Sequence, residues 1–341
     1  MEQPGESRLE TFLLDSAERG RRGWHWLPRA LLVLAAASLV LGWYWSREPA
    51  AINPPSSVAA APPSGQALAA GAGVVSTATL LAIARTLLDK PGGYISNDAL
   101  PPGVLLDNMP AFEAGILAHV RDMLRVMRRD FSLSPSQSIA DPDLVRAESR
   151  FMFDSTSWLL PSTEGEYRDG IAALDSYAAR LAEPEGAGAH FYARRDNLAR
   201  WLEDVDARLT AYGQRLASAA APGAAAHIAW SDIDNGFYEA RGYCWALRAQ
   251  LLATQVDFAP VLVAHPAENS VANAVGNNTA AQNFLAQAII ALDGTQQPVN
   301  SPVILNGSEY GLLANHSLVM ASYIARARAT LMQLRGQLAA Q

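Results

Sequence analysis

Two stretches without a helical pattern hold the residues best placed for chemistry. They are Lys90 to Asn108 (KPGGYISNDALPPGVLLDN) and Gly294 to Ser308 (GTQQPVNSPVILNGS). Loops this long inside a compact domain are uncommon and are often functional. Lys90 is the only lysine in the chain. A lysine becomes a nucleophile where burial or a second cation favours its neutral form. His316, between Asn315 and Ser317, could act as a general base if a carboxylate oriented it, and no spacing identifies that carboxylate. Tyr94, Asn97 and Asp98 in the first loop and Asn306 in the second complete a set of side chains able to hold a small ligand.

Each of these residues also has a plainer role, and the residue types favour it. Lys90 ends a helical pattern, where a cation complements the C-terminal carbonyls. A hydrogen-bonded core histidine accounts for His316. Asn, Pro and Gly shape turns through side-chain-to-backbone hydrogen bonds, so both loops suit ordered packing over one end of a bundle. Glu203, Asp204 and Asp206 beside Arg200 and Arg208 have the pattern of a solvated helix face.

Other chemistries lack their residues. His25, His119, His190, His227, His265 and His316 include no pair at helical metal-ligand spacing, so no metal site is expected. Cys244 is the single cysteine, which excludes an internal disulfide and, on an apolar helical seam, predicts a buried thiol. There is no phosphate-cradling glycine loop and no nucleophile elbow, so no cofactor is expected. A net charge of −7 argues against nucleic acid, whose phosphates require a basic face. Together these features lean away from an enzyme without deciding the matter.

The elements that must position the loops are helices. Residues 27–45 (LPRALLVLAAASLVLGWYW) form an apolar run. Its strictly apolar part, from Ala30, spans about 24 Å at 1.5 Å per residue. Trp24 and Trp26 on one side and Trp43, Tyr44 and Trp45 on the other resemble interfacial aromatic belts. Arg8, Arg19, Arg21, Arg22 and Arg29 precede or open the run, whereas after Arg47 no basic residue occurs until Arg85. This asymmetry predicts an uncleaved anchor through which the chain contacts the lipid bilayer, with residues 1–26 cytoplasmic and the rest outside. A cleaved signal peptide would require its small-residue site in the middle of the run, at Ala35 to Ser38.

Residues 46–75 are rich in Ala and Pro, and the stretch from Pro49 to Gly73 predicts a semi-extended linker that lifts the following domain off the membrane. Residues 76–341 then form one helical domain. Ser76 or Thr77 can cap its first helix, Pro110 suits the first turn of a second, and Asp141-Pro142-Asp143 opens a third. Thr163 with Glu166 reads as a capping box. Steps of three and four recur in Tyr167, Ile171, Leu174, Ala178 and Leu181, and in Leu198, Leu202, Val205, Leu209, Tyr212 and Leu216. They recur again in the series from Ile233 through Cys244 to Phe258 and in that from Leu313 to Leu338. The pattern around 266–292 is weaker, interrupted at Gly276-Asn277-Asn278. No segment alternates with period two. The fold class expected is therefore all-α, with one N-terminal transmembrane helix, a multi-helix bundle and two long ordered loops.

The stretches LLDKPGGYISNDALPPGVLLDNMP (87–110), FDSTSWLLPSTEGEYRDGI (153–171) and SPVILNGSEYGLLANHSLVMASYIARA (301–327) resemble a family of proteobacterial inner-membrane proteins, domain of unknown function 2333. The similarity runs from about Thr77 to Leu334. It implies a Gram-negative inner membrane and a periplasmic domain, and it brings no reaction, ligand or catalytic residue. The expectation drawn from all this is a helical interaction or scaffold module of the cell envelope, working with an envelope protein partner or a second copy of itself. The alternative is an envelope enzyme or small-ligand binder with its site where loops 90–108 and 294–308 meet.

Overall fold

The computed structural model describes residues 26–54, 72–133, 139–183, 187–219, 230–263, 279–299, 304 and 316–340, and among these there is no strand. The helices are α1 (Trp26–Trp45), α2 (Val74–Asp89), α3 (Asn108–Val126), α4 (Pro142–Phe151), α5 (Thr163–Ala182), α6 (Arg195–Ala219), α7 (Trp230–Asp257), α8 (Ala259–Leu262), α9 (Ala280–Thr295) and α10 (His316–Ala340). A π-helical turn, Met127–Phe131, prolongs α3.

The apolar seams point inward. Every residue named above on the α6 seam is buried, as is the α7 series from Ile233 through Ala240, Cys244 and Leu251 to Phe258. On α7 the burial extends beyond the seam to Tyr243, Trp245, Ala246, Ala249 and Ala253. A helix apolar around most of its circumference has to be covered on all sides, and α7 is the central rod of the bundle. α2, α3 and α9 pack along it, while α6 and α10 pair with each other. At the crossing of α3 and α7 both helices carry glycine. A Cβ on Gly115 would lie 2.0 Å from the Glu239 carbonyl oxygen, and one on Gly242 would lie 2.0 Å from that of Phe112. The backbones touch there, and no side chain could be accommodated.

Helix ends differ in detail from the sequence expectation. Neither Ser76 nor Thr77 caps α2, which begins at Val74; both are buried within it. Its first turn is capped from a distance: Asp257, at the end of α7, accepts the Ser76 N–H at 2.6 Å. An anion at a helix N-terminus satisfies donors that the helix itself leaves free. On α5 the cap is Ser162, which accepts the Gly165 N–H, one residue before the box read from the sequence. Asp141 caps α4 as expected. Gly294 and Thr295 belong to α9, so the second loop begins at Gln296. Residues 266–278 of the weaker helical pattern, and Leu313, lie outside the described residues.

α1 is apolar and long enough to cross a membrane, and of its residues only Gly42 is buried. Such a helix near an N-terminus is compatible with a membrane anchor or a signal sequence. The chain beyond it is not a free spacer at its start. Trp45 lies on Gly92, whose missing Cβ would meet the indole at 2.7 Å and whose φ of +87° favours glycine. Glu48 accepts two hydrogen bonds from Arg241, at 2.7 and 2.9 Å. Ile52 packs on the core, and Arg248 donates to the Asn53 side chain at 3.3 Å. Residues 45–53 are thus laid along the domain, because Arg241 and Arg248 offer charged partners to a segment otherwise without them. A spacer that lifts the domain cannot start before residue 54, and residues 55–71 are outside the described part.

Candidate functional site

The first loop folds around one carboxylate. Lys90 is the C-cap of α2, as its place in the sequence suggests, but its ammonium group turns inward instead of facing water. It pairs with Glu113 of α3, both side chains being almost fully buried, and donates to the Gly93 carbonyl. Glu113 also accepts the N–H groups of Ile95, at 2.9 Å, and Ser96, at 2.8 Å, together with the Ser96 hydroxyl. A buried charge is tolerated when it is paired and its lone pairs are filled, and Glu113 meets both conditions. Its function is visible in the geometry: it gathers the loop's backbone donors onto α3.

The other expected residues of this loop join the same cluster. Tyr94 is buried edge-on to Tyr167, and its hydroxyl donates to the Ser155 carbonyl at 3.1 Å. Burial, reinforced by the charge of Glu113, keeps that phenol protonated well above its ordinary range. Asn97 donates to the Ser157 carbonyl at 2.9 Å and to Glu164 at 3.0 Å. Asp98 is half-buried, and its carboxyl is shifted upward by desolvation first and then by the charges of Glu113 and Glu164. Lys90, Tyr94, Asn97 and Asp98 are therefore brought together, and the hydrogen bonds tie their loop to residues 154–164.

His316 is not part of this group. It opens α10, half-buried, with its ring edge-on to Phe237 of α7 at 6.5 Å. Asn306 and Asn315 lie outside the described residues. The described parts of the second loop reach α7 at two points. The carbonyls of Thr295, Gln296 and Gln297 accept from Arg241, and the Ile304 N–H donates to Asp234 at 3.0 Å.

Glu113, Glu164 and Tyr167 were not expected at this site from the sequence, which placed Tyr167 only on a helical seam. Glu113 did leave a signal: it lies three and seven residues before Ile116 and Val120, on the apolar stripe of α3, where a carboxylate must find a buried partner. The acidic face of α6 is not merely solvated. Arg335 reaches Glu203 at 2.7 Å, Arg129 reaches Asp204 at 2.7 Å, and Arg328 pairs with Asp206, so the charges link α6 to α3 and α10.

Clefts open elsewhere on the described surface, among them two away from the loop cluster. One of about 320 Å³ lies between α3 and α6, lined by Asp122, Arg125, Arg129, Asp204 and Arg208. Its cations are already engaged: Arg208 grips Asp122 with two hydrogen bonds of 2.9 Å. The other, about 70 Å³, lies between α8, α9 and α10. Neither is lined by the loop residues. Among the described residues no three His, Cys, Asp or Glu side chains converge as a metal site would require. The cluster around Glu113 can hold a loop in shape, and Lys90, Glu113, the Tyr94 hydroxyl and the Asn97 amide nitrogen are engaged in doing so.

Comparison with known protein families yields a match. The model of a family described as an uncharacterised protein conserved in bacteria, DUF2333, matches residues 19–226 and 221–340. No curated protein matches the chain, and no solved structure does.

Proposed function

Starting from a chain that belongs to this uncharacterised bacterial family, we propose a single-pass inner-membrane protein whose helical domain stands in the periplasm as an interaction or scaffold module of the envelope. The observation that carries it is the union of the apolar helix with the domain. Gly42 packs against Pro102 and Leu106, Trp45 against Gly92, and Glu48 against Arg241. An excised leader has no reason to be built into the protein it leaves, whereas an anchor that orients its domain does. The arginines before α1 favour an N-terminus in the cytoplasm. A scaffold is favoured over an enzyme because Lys90 and Glu113 are spent on each other and on the loop's backbone, and neither cleft described above is lined by the loop residues.

Topology is the first test. A reporter active only in the periplasm should work when fused after Gln341 and fail when fused before Arg21. The reverse pattern would refute the orientation, and a mature chain beginning after Ser38 would refute the anchor. For the scaffold, native electrophoresis of gently solubilised membranes should show the chain in a complex larger than its 36.5 kDa protomer. A monomer under every mild condition would count against that role.

A further inference from the structure

Two charge-free loops, Ala99 to Leu106 and Ser157 to Thr163, expose large apolar side chains, and the first of them lies against the end of α1. Leu100, Val104 and Leu105 project from the first, and Trp158, Leu159 and Leu160 from the second, each more than half exposed and Leu160 98% so. Single exposed leucines are ordinary on a protein surface, but six such residues on two joined loops are not. The loops are joined through Asn97 and Tyr94, which donate to the Ser157 and Ser155 carbonyls at 2.9 and 3.1 Å.

The position of α1 says what covers them. At 1.5 Å per residue its 20 residues reach about 30 Å, the thickness of a bilayer's hydrocarbon core. Its final turn, Gly42 to Trp45, therefore lies at the membrane interface, where Trp43, Tyr44 and Trp45 suit the headgroup level. Arg47 stacks over Trp43 at 4.1 Å, a cation placed to face lipid headgroups. Gly42 packs against Pro102 and Leu106, 3.6 and 3.7 Å from where its Cβ would be. A loop that touches the helix at Gly42 cannot stand clear in water while the helix spans the bilayer.

We infer that these two loops form a second membrane contact, inserting Leu100, Val104, Leu105, Trp158, Leu159 and Leu160 into the interfacial region of the leaflet from which α1 emerges. The domain is then seated on the lipid surface in one orientation, held by the helix at one point and by the loops beside it. A tryptophan among leucines, without lysine or aspartate on either loop, is the composition of an interfacial insertion. The inference rests on the anchor reading above, and its test separates the two.

The full-length Cys244→Ala protein would be reconstituted in nanodiscs of phosphatidylethanolamine and phosphatidylglycerol. Single cysteines would replace Val33, Val104, Leu160 or Gln333 and carry nitroxide labels. Accessibility to oxygen, which partitions into lipid, is compared with accessibility to a water-soluble nickel chelate. Labels at Val104 and Leu160 should show an oxygen-to-nickel ratio several-fold above that of Gln333, which is exposed on α10, and below that of Val33 within α1. If Val33 is deep while Val104 and Leu160 behave like Gln333, the insertion is overturned and the anchor stands. Low accessibility to both reagents at Val104 and Leu160 would assign the face to a protein partner or a second copy, and would also overturn it. A label at Val33 outside the lipid would remove the anchor and the insertion together. Circular dichroism of each variant confirms that the labelled chain is folded.

Discussion

Replacing His119 should make the protein more tolerant of acid. His119 is buried on α3, edge-on to Tyr243 at 5.5 Å, and among the described residues neither ring nitrogen has a hydrogen-bond partner. Burial alone pushes its pKa down from 6.5 to about 3. A histidine depressed in the fold is neutral there, while the unfolded chain takes up a proton as pH falls below 6.5. Stability is therefore intact above pH 6.5 and is lost progressively between 6.5 and about 3. At pH 5 the loss is about 2 kcal/mol, from about 1.5 pH units at about 1.4 kcal/mol each. His119→Leu removes that term. At pH 8 it also removes two desolvated nitrogens, worth about 1–3 kcal/mol when unpaired, against an aromatic contact of about 0.5–1.5 kcal/mol. The variant should be at least as stable as the parent at pH 8 and should gain about 2 kcal/mol on it by pH 5. Urea unfolding of both full-length proteins in detergent, followed by intrinsic fluorescence, measures the difference. The upward-shifted carboxyls of Asp257, Asp234 and Asp98 titrate in both proteins and cancel in that difference. A difference constant within about 0.5 kcal/mol across this range would falsify the neutral, unpartnered imidazole.

Lys90→Met should cost about 3–5 kcal/mol, since it strands the buried Glu113 carboxylate. Adding Glu113→Gln should restore most of that loss in thermal melts, because the amide oxygen can still accept from Ile95 and Ser96; a single-variant cost under about 1 kcal/mol would place the pair at the surface. Gly115→Ala should cost about 3 kcal/mol or more, because the atom in the way is backbone and cannot move aside. Gly336→Ala, with open space around it, should instead stabilise α10 by about 0.5–1 kcal/mol in the same melts. Cys244 is buried and its thiol is pushed up to about 12, chiefly by desolvation, so thiol reagents should label it only as fast as the protein unfolds. Rapid labelling of the native chain would contradict its place in the core.

The helices and their inward faces were legible in the sequence because burial imposes a period on side chains, and the period survives without coordinates. The seams of α6, α7 and α10 and the Asp141 cap came from short-range patterns of this kind, as did the length of α1. What the sequence could not contain is which distant groups meet. Asp257 caps α2 across 181 residues, and Arg241 reaches back 193 residues to Glu48. Both depend on a chain path that no local spacing encodes. Lys90 shows the division most plainly. Its position at the end of a helix was readable, yet whether its ammonium faced water or Glu113 depended on how α2 and α3 pack. Likewise, the sequence by itself determined that Leu100, Val104 and Leu105 lie on a long loop. The tertiary structure alone decided that this loop joins a second one and lies against α1, because exposure and proximity are properties of the packed chain, whereas periodicity belongs to the chain's residues in order.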